Sequence, residues 1–458
     1  MARGPRDRFP PQIGFLAWNE ACERFSYYGM ASILTVHMVH RLLFSEAEAE
    51  SRFHLFVFAV YATPLVGAFL ADRFLGRYRV VLWLSLGYVA GHAVLAVLES
   101  RLGLAVGLAL IAVGAGGIKP CAAAFVGDQF PPGDRRLQRV YDLYYWMINL
   151  GSTASTLLIP VLLERRGPSV AFALPGLLMA LALVIFRAGR RTYVMLPPTG
   201  PNPHSFTRVL ADAVRRPGTR PGRWLDGALA RHPPEAVEGT RAVLRIVGIF
   251  APIAAFWALF FQYSSAWVLQ AEKLDRSIGG IELLPSQVPS VEPVLILVLI
   301  PVFAGGLYPW LRRRGLEPTA LRRMQAGMYV TALSFAAATA IQAALDGGGR
   351  PSVAWQLVPY LLLAVGEVLV SITALEFAYT QAPPSMKSTV MGLWYVTIAA
   401  GNLLTAWVAG LNRFHGAWYY AFFTALMLAG ALGFTAVARR YRPVEWPAGA
   451  PAPEAASG

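Results

Sequence analysis

Three ionisable residues lie close together in an apolar stretch near the start of the chain: Glu20, Glu23 and Arg24. Their i, i+3, i+4 spacing puts them on one face of a helix. A charge at the centre of a membrane-spanning helix costs about 2.5–3.5 kcal/mol even on the lenient insertion scale, so three persist only where they pair or face water. Two carboxylates beside one guanidinium can gain or lose a proton with little change in field, because close carboxylates do not both ionise cheaply. The same trio could also be a structural ion cluster that ties helices together. Lys119 is the one lysine inside an apolar segment, next to Pro120 and following Gly114, Gly116 and Gly117. A bare ammonium there needs a carboxylate or an anionic ligand, and Glu367, deep in another apolar segment, is its obvious counterpart.

Such residues need helices that hold them within a bilayer, and the composition supplies those. Of 458 residues 56% are apolar and 14% charged, with a mean hydropathy of +0.48. Soluble domains carry roughly 25% charged residues. Twelve apolar segments are legible, at about 12–42, 47–72, 79–99, 102–127, 137–164, 169–190, 242–271, 288–311, 320–345, 353–382, 388–412 and 417–438. The net charge of +14 is not spread as a nucleic-acid surface but sits in clusters between those segments. With twelve spans the two termini share a side, and that side carries 29 of the Lys and Arg residues against 9 on the other. The positive-inside rule therefore predicts both termini in the cytoplasm of a multi-pass protein of the inner or plasma membrane.

The expected organisation is an N-tail over 1–11, a six-helix bundle over 12–190, a cytoplasmic linker over 191–241, a second bundle over 242–440 and a disordered tail over 441–458. Short surface helices are expected in the linker near Ser205–Arg215 and Arg223–Ala230. Cys22 and Cys121, the two cysteines, lie far apart within apolar segments and read as reduced thiols. The basic N-terminus runs straight into a long helix, so no cleaved signal peptide is expected. There is no HExxH, GxSxG, Walker loop or metal-spaced Cys/His set, which argues against an enzyme and against a metal or organic cofactor. The outline is that of an all-α integral membrane protein with a major facilitator fold, two bundles of six transmembrane helices.

The run Glu20-Ala-Cys-Glu23-Arg24-Phe-Ser-Tyr27-Tyr28 resembles the ExxERFxYY signature of the proton-dependent oligopeptide transporter family. The resemblance continues through Tyr61-Ala-Thr-Pro64, Asp72-Arg73, Gly114–Pro120, Gly127-Asp128, Tyr144–Gly151, Phe256–Gln262, Gly366-Glu367, Leu375–Ser388 and Met391–Trp394. It implies proton-coupled symport of di- and tripeptides by alternating access, driven by a proton gradient, in a monomer. In the family the lysine matching Lys119 is implied to hold the substrate carboxylate or to communicate with the first-helix cluster. The glutamate matching Glu367 is implied to hold the amino group. Tyr27, Tyr28, Tyr61, Trp257 and Trp394 would line the cavity, as would Tyr145, Asn149, Gln262 and Ser371. Each aromatic alone reads equally as packing or as interface belt. His54 lies seven residues before Tyr61, where animal members place a histidine. It reads either as a proton relay or as an interfacial residue.

Four positions depart from the family pattern. Ala31 stands where peptide transporters commonly have arginine, and Phe261 where many have an acid. In the family these two can pair as a gate, and losing only one would strand a buried charge. Cys121 and Glu292 each replace an asparagine. One cation is lost and one anion gained, so a shift toward cationic peptides or other amines, or a use of Glu292 as an extra proton site, stands beside plain di- and tripeptide uptake. The rival readings are a relative that carries nitrate or another small solute, and a non-transporting sensor.

Overall fold

The computed structural model describes residues 9–443 except 132, 133, 135, 199, 201, 219, 221 and 222. The expected disorder of the C-tail and most of the N-tail lie outside these residues. Ten helices are long and apolar enough to cross a membrane, and Pro234–Phe250 with Ile253–Lys273 makes an eleventh that bends by 47°. The bend falls where Pro252 removes a helical N–H donor. The first helix, Gln12–His40, is 29 residues long, about 43 Å at 1.5 Å per residue. The buried Glu20 and Glu23 and the partly buried Arg24 make it more polar than the other spans, although it packs among them as a span does. With it the described residues hold twelve helices of membrane-spanning length, the number expected. The chain folds as a multi-pass membrane protein.

In order the other spans are Glu46–Leu75, Arg77–Val97, Arg101–Gly127, Arg136–Arg166, Pro168–Ala188, the bent seventh, Pro285–Arg313, Ala320–Asp346, Val353–Ala378, Lys387–Gly410 and Ala417–Arg440. The second starts at a capping box in which Ser45 and Glu48 satisfy each other's backbone N–H. The eighth leaves its apolar window only 11% buried within the protein. An apolar surface of that extent would be untenable in water and is expected against lipid.

Close helix approach explains the glycines of the fourth span. A Cβ on Gly116 would lie 1.6 Å from Thr63 Oγ1, and one on Gly67 would lie 2.4 Å from the Gly117 Cα. The second and fourth spans therefore touch backbone to backbone, as small residues permit in membranes. The seventh span begins at Pro234, eight residues before the sequence boundary, because its first turns pack on the linker instead of on lipid. There Val209, Ala213, Leu225, Ala228, Ala236 and Val237 form a small core of their own. The linker helix Phe206–Arg215 and the 3-10 segment Trp224–Ala230 fall where short surface helices were expected.

On the face opposite the termini the two halves are joined by a series of cross-links. Lys273 Nζ is 2.8 Å from Glu46 Oε2, and His40 Nε2 is 3.0 Å from Glu272 Oε1. Ser51 Oγ donates to the Ala406 carbonyl at 2.8 Å and Gln287 Nε2 to the Leu157 carbonyl at 3.0 Å. His54, deeper in, joins Asn402 and Ser265. Beneath an outer recess of about 790 Å³ lined by Glu46, Glu50 and Lys273, these contacts close that face.

Candidate functional site

The first-helix trio forms the charged centre of the N-terminal half. Arg24 Nε donates to Glu20 Oε1 at 2.8 Å and lies 2.7 Å from Glu23 Oε2. Its single Nε hydrogen is aimed at Glu20, so the Glu23 oxygens are held by charge alone and accept no hydrogen bond. Tyr144 Oη donates to the other Glu20 oxygen. All three charged residues sit well inside the bundle, as helical i, i+3, i+4 spacing dictates.

Lys119 takes a position that the sequence does not reveal. Its Nζ stands 4.2 Å from the Tyr27 ring centroid and 4.3 Å from that of Tyr61, is buried, and has no hydrogen-bond partner. Two tyrosine faces hold the ammonium by cation–π attraction. It forms no ion pair with Glu367, its counterpart in the sequence reading.

A cavity of about 310 Å³ lies between the halves, and Glu20, Glu23, Arg24 and Lys119 are not among its lining residues. Tyr28 and Tyr61 line it from one half and Trp257, Glu292, Glu367, Ser371 and Trp394 from the other. These are seven of the positions singled out in the sequence. Glu292 and Glu367 come from the eighth and tenth spans, and both side chains line this one cavity. Glu367 Oε2 and Trp257 Nε1 are buried without a partner. A π-helical turn, Val368–Ile372, follows Glu367 directly and carries Ser371 to the same wall; such turns recur at functional sites.

Other expected residues lie elsewhere. Gln262 is fully buried and its amide donates to the Ala258 carbonyl one turn back at 2.9 Å. Asn149 likewise donates to the Tyr145 carbonyl at 2.9 Å. Neither it nor Tyr145 lines the cavity, although Tyr145 is an electrostatic neighbour of Glu367 and Glu292. Tyr27 stands behind Tyr61, against Lys119. His54 is wholly buried in the cross-half seal rather than at an interface.

Phe260, Tyr263 and Tyr395 line the cavity and went unremarked in the sequence. Each neighbours a residue that was noted, and the available signal was the clustering of aromatics over Phe256–Tyr263 and at Trp394-Tyr395. Phe261 bridges the halves: its ring centroid is 5.5 Å from that of Tyr61 and 5.9 Å from that of Trp257. An acid at this position would be set among aromatic faces, while Ala31, also buried, offers it no cation.

With this geometry in view, comparison with known proteins is direct. The POT family signature matches residues 78–415. Mouse solute carrier family 15 member 2 is 37% identical over 393 residues, covering 80% of this chain and 53% of its own. Peptide transporter 3 of Caenorhabditis elegans is 37% identical over 358 residues, 73% of this chain and 51% of its own. The chain thus spans about half the length of the curated relatives it matches. The crystal structure of an auto-inhibited POT family peptide transporter superposes with a TM-score of 0.88 at 40% identity, over 95% of this chain and 98% of that one. The POT family transporter PepTSo gives a TM-score of 0.89 at 37% identity, over 95% and 99%. The chain belongs to the POT family.

Proposed function

We propose that the protein is a proton-coupled symporter of di- and tripeptides working by alternating access, a multi-pass protein of the inner or plasma membrane with both termini cytoplasmic. The observation that carries this reading is the split of buried charge across one cavity. A carboxyl pair, Glu292 and Glu367, lines it on the C-terminal side, and on the N-terminal side Lys119 sits 4.3 Å from the ring of the lining residue Tyr61, in the bundle that holds the Glu20–Glu23–Arg24 centre. A zwitterion is complementary to such a split. The cavity, at about 310 Å³, is at the lower end of the roughly 300–1,000 Å³ range of small-molecule sites and suits a short peptide. Its aromatic walls accept varied side chains through apolar faces. Glu23, whose oxygens lack donors, is the natural resting place for the coupling proton, and Lys119 is its natural electrostatic partner.

The cycle rocks one bundle against the other. With the face opposite the termini closed, the His54 and Lys273 cross-links hold one end state. Two carboxyls at the amino pole favour a bias toward cationic peptides, and they disfavour nitrate, which would meet negative charge. The reading implies no resident cofactor and a monomer as the working unit.

Uptake of labelled Ala-Ala into proteoliposomes tests it. Accumulation with an inward proton gradient, lost when the gradient is collapsed and in Glu23→Gln, is the expected result. Equal flux with and without the gradient, or no dipeptide flux at all, would overturn it.

A further inference from the structure

One face of the seventh span carries chemistry that transport does not use. Arg241, Leu244, Arg245 and Gly248 are spaced i, i+3, i+4, i+7 and so share a helix face near the end that bears the termini. Two recesses open along it, with Arg245 on the rim of both. One, about 430 Å³, lies between Gly248 and the end of the twelfth span, against Val437, Tyr441, Arg440 and Arg442. The other, about 340 Å³, is walled by Leu244 and by Trp224 and Leu225 of the linker.

The rim is basic and largely uncompensated. Arg440 and Arg442 make no hydrogen bond or ion pair among the described residues, and Arg245 has only a 3.8 Å approach to Glu238. Arg241, by contrast, is already engaged by Asp226 and Glu238. Among the described residues no carboxylate lines either recess. The rim is also held in place. Tyr441 Oη donates to Gln381 Oε1 at 3.1 Å and its ring packs on Phe377, which fixes the chain just before Arg442.

Free guanidiniums between two apolar recesses, at the level where a span meets the linker, call for one phosphate with two hydrocarbon chains. We propose that this face binds a single anionic diacyl phospholipid of the leaflet on the side of the termini. Its phosphate lies among Arg245, Arg440 and Arg442, and its acyl chains occupy the two recesses. Arginine suits the phosphate because its planar fork donates two parallel hydrogen bonds. Basic pockets between spans on the positive-inside face have the charge complementarity that anionic headgroups require. The bound lipid would clip the seventh span, the twelfth span and the linker together.

Native mass spectrometry of the full chain in detergent, with added phosphatidylglycerol or phosphatidylcholine of identical chains, reads the site. One retained phosphatidylglycerol, preferred at least tenfold over phosphatidylcholine, is expected. Arg245→Gln, Arg440→Gln and Arg442→Gln should each weaken it by about fivefold, the effect of one basic residue at an anionic surface. Gly248→Leu tests the recess without touching charge. A Cβ at Gly248 meets only Val437 Cγ1, at 3.9 Å, so the substitution fills space instead of straining the fold. It should also reduce retention. Equal retention of the two lipids, an unchanged preference in the triple glutamine variant, or displacement by inorganic phosphate alone would overturn the proposal. So would binding that appears only after residues 444–458 are removed, since the native occupant would then be the chain's own tail. Dipeptide uptake is measured separately, and failure there leaves the lipid result standing.

Discussion

His54 of the second span and Asn402 of the eleventh are joined by a 2.8 Å hydrogen bond across the two halves of the protein. The Asn402 amide nitrogen is already committed to the Ile398 carbonyl at 2.9 Å, so its oxygen faces His54 and accepts from Nδ1–H. The other ring nitrogen, Nε2, is 3.0 Å from Ser265 Oγ and is placed to accept from that hydroxyl. A neutral imidazole satisfies both partners with no water needed. The histidine is thus a cross-link between the bundles on the closed face, and its contacts must break whenever that face opens.

Removing one side of this link should cost more than removing both. His54→Leu or Asn402→Leu leaves a buried polar group unmatched, which costs about 1–3 kcal/mol. The double variant removes both groups and should be less destabilised than the sum of the singles. Thermal unfolding of the four proteins in one detergent reads the coupling. Additive losses would mean that the two residues act separately.

The placing of Glu292 and Glu367 on one cavity predicts selectivity. A cation entering the cavity favours ionisation of both carboxyl groups, so the pair can set up to two negative charges against it where a single carboxyl sets one. Glu292→Gln keeps the shape and removes one acid. In a competition series Lys-Ala should lose about tenfold in apparent affinity, some 1.4 kcal/mol, while Ala-Ala changes less than twofold. Equal losses for both peptides would show that Glu292 does not read the side chain.

Much of this site was legible in the sequence because charge in an apolar helix is rare and expensive. Glu20, Glu23, Arg24, Lys119 and Glu367 stood out on that ground, and Glu292 as a departure from the family pattern; of these six, Glu292 and Glu367 line the inter-half cavity. What the sequence did not show was direction. Gln262 and Asn149 each turn back onto a carbonyl of their own helix, a choice that helical spacing leaves open. Lys119 was matched to a carboxylate because ion pairs are the commonest solution for a buried ammonium, whereas here two tyrosine rings provide it. Of the folding landmarks, the start of the seventh span was misplaced because Pro234–Arg241 is polar and helical at once, packing on the linker.

The seating of Lys119 against Tyr27 and Tyr61 predicts a split between two transport modes. The ammonium balances the first-helix carboxylates through space, without a hydrogen bond. Lys119→Ala leaves those carboxylates with Arg24 alone, so net proton movement should fail. Gradient-driven accumulation of Ala-Ala should fall at least tenfold, while counterflow exchange, which needs no net proton transfer, should persist. Loss of exchange as well would assign Lys119 to substrate binding.

The backbone contact between the second and fourth spans gives a prediction about packing. Gly116 faces Thr63, whose single hydroxyl hydrogen is shared between the Ala59 carbonyl at 2.8 Å and the Ala112 carbonyl at 2.9 Å. A methyl group at residue 116 would overlap that hydroxyl at 1.6 Å, so Gly116→Ala must push the spans apart or turn the Thr63 side chain. Overpacking of this kind costs about 1–3 kcal/mol. Thr63→Ala removes the obstacle at the price of those hydrogen bonds, so Gly116→Ala combined with Thr63→Ala should be more stable than Gly116→Ala alone. Melting curves of the three variants in the same detergent decide it. If Gly116→Ala melts like the parent protein, the two spans are not held at the distance seen here.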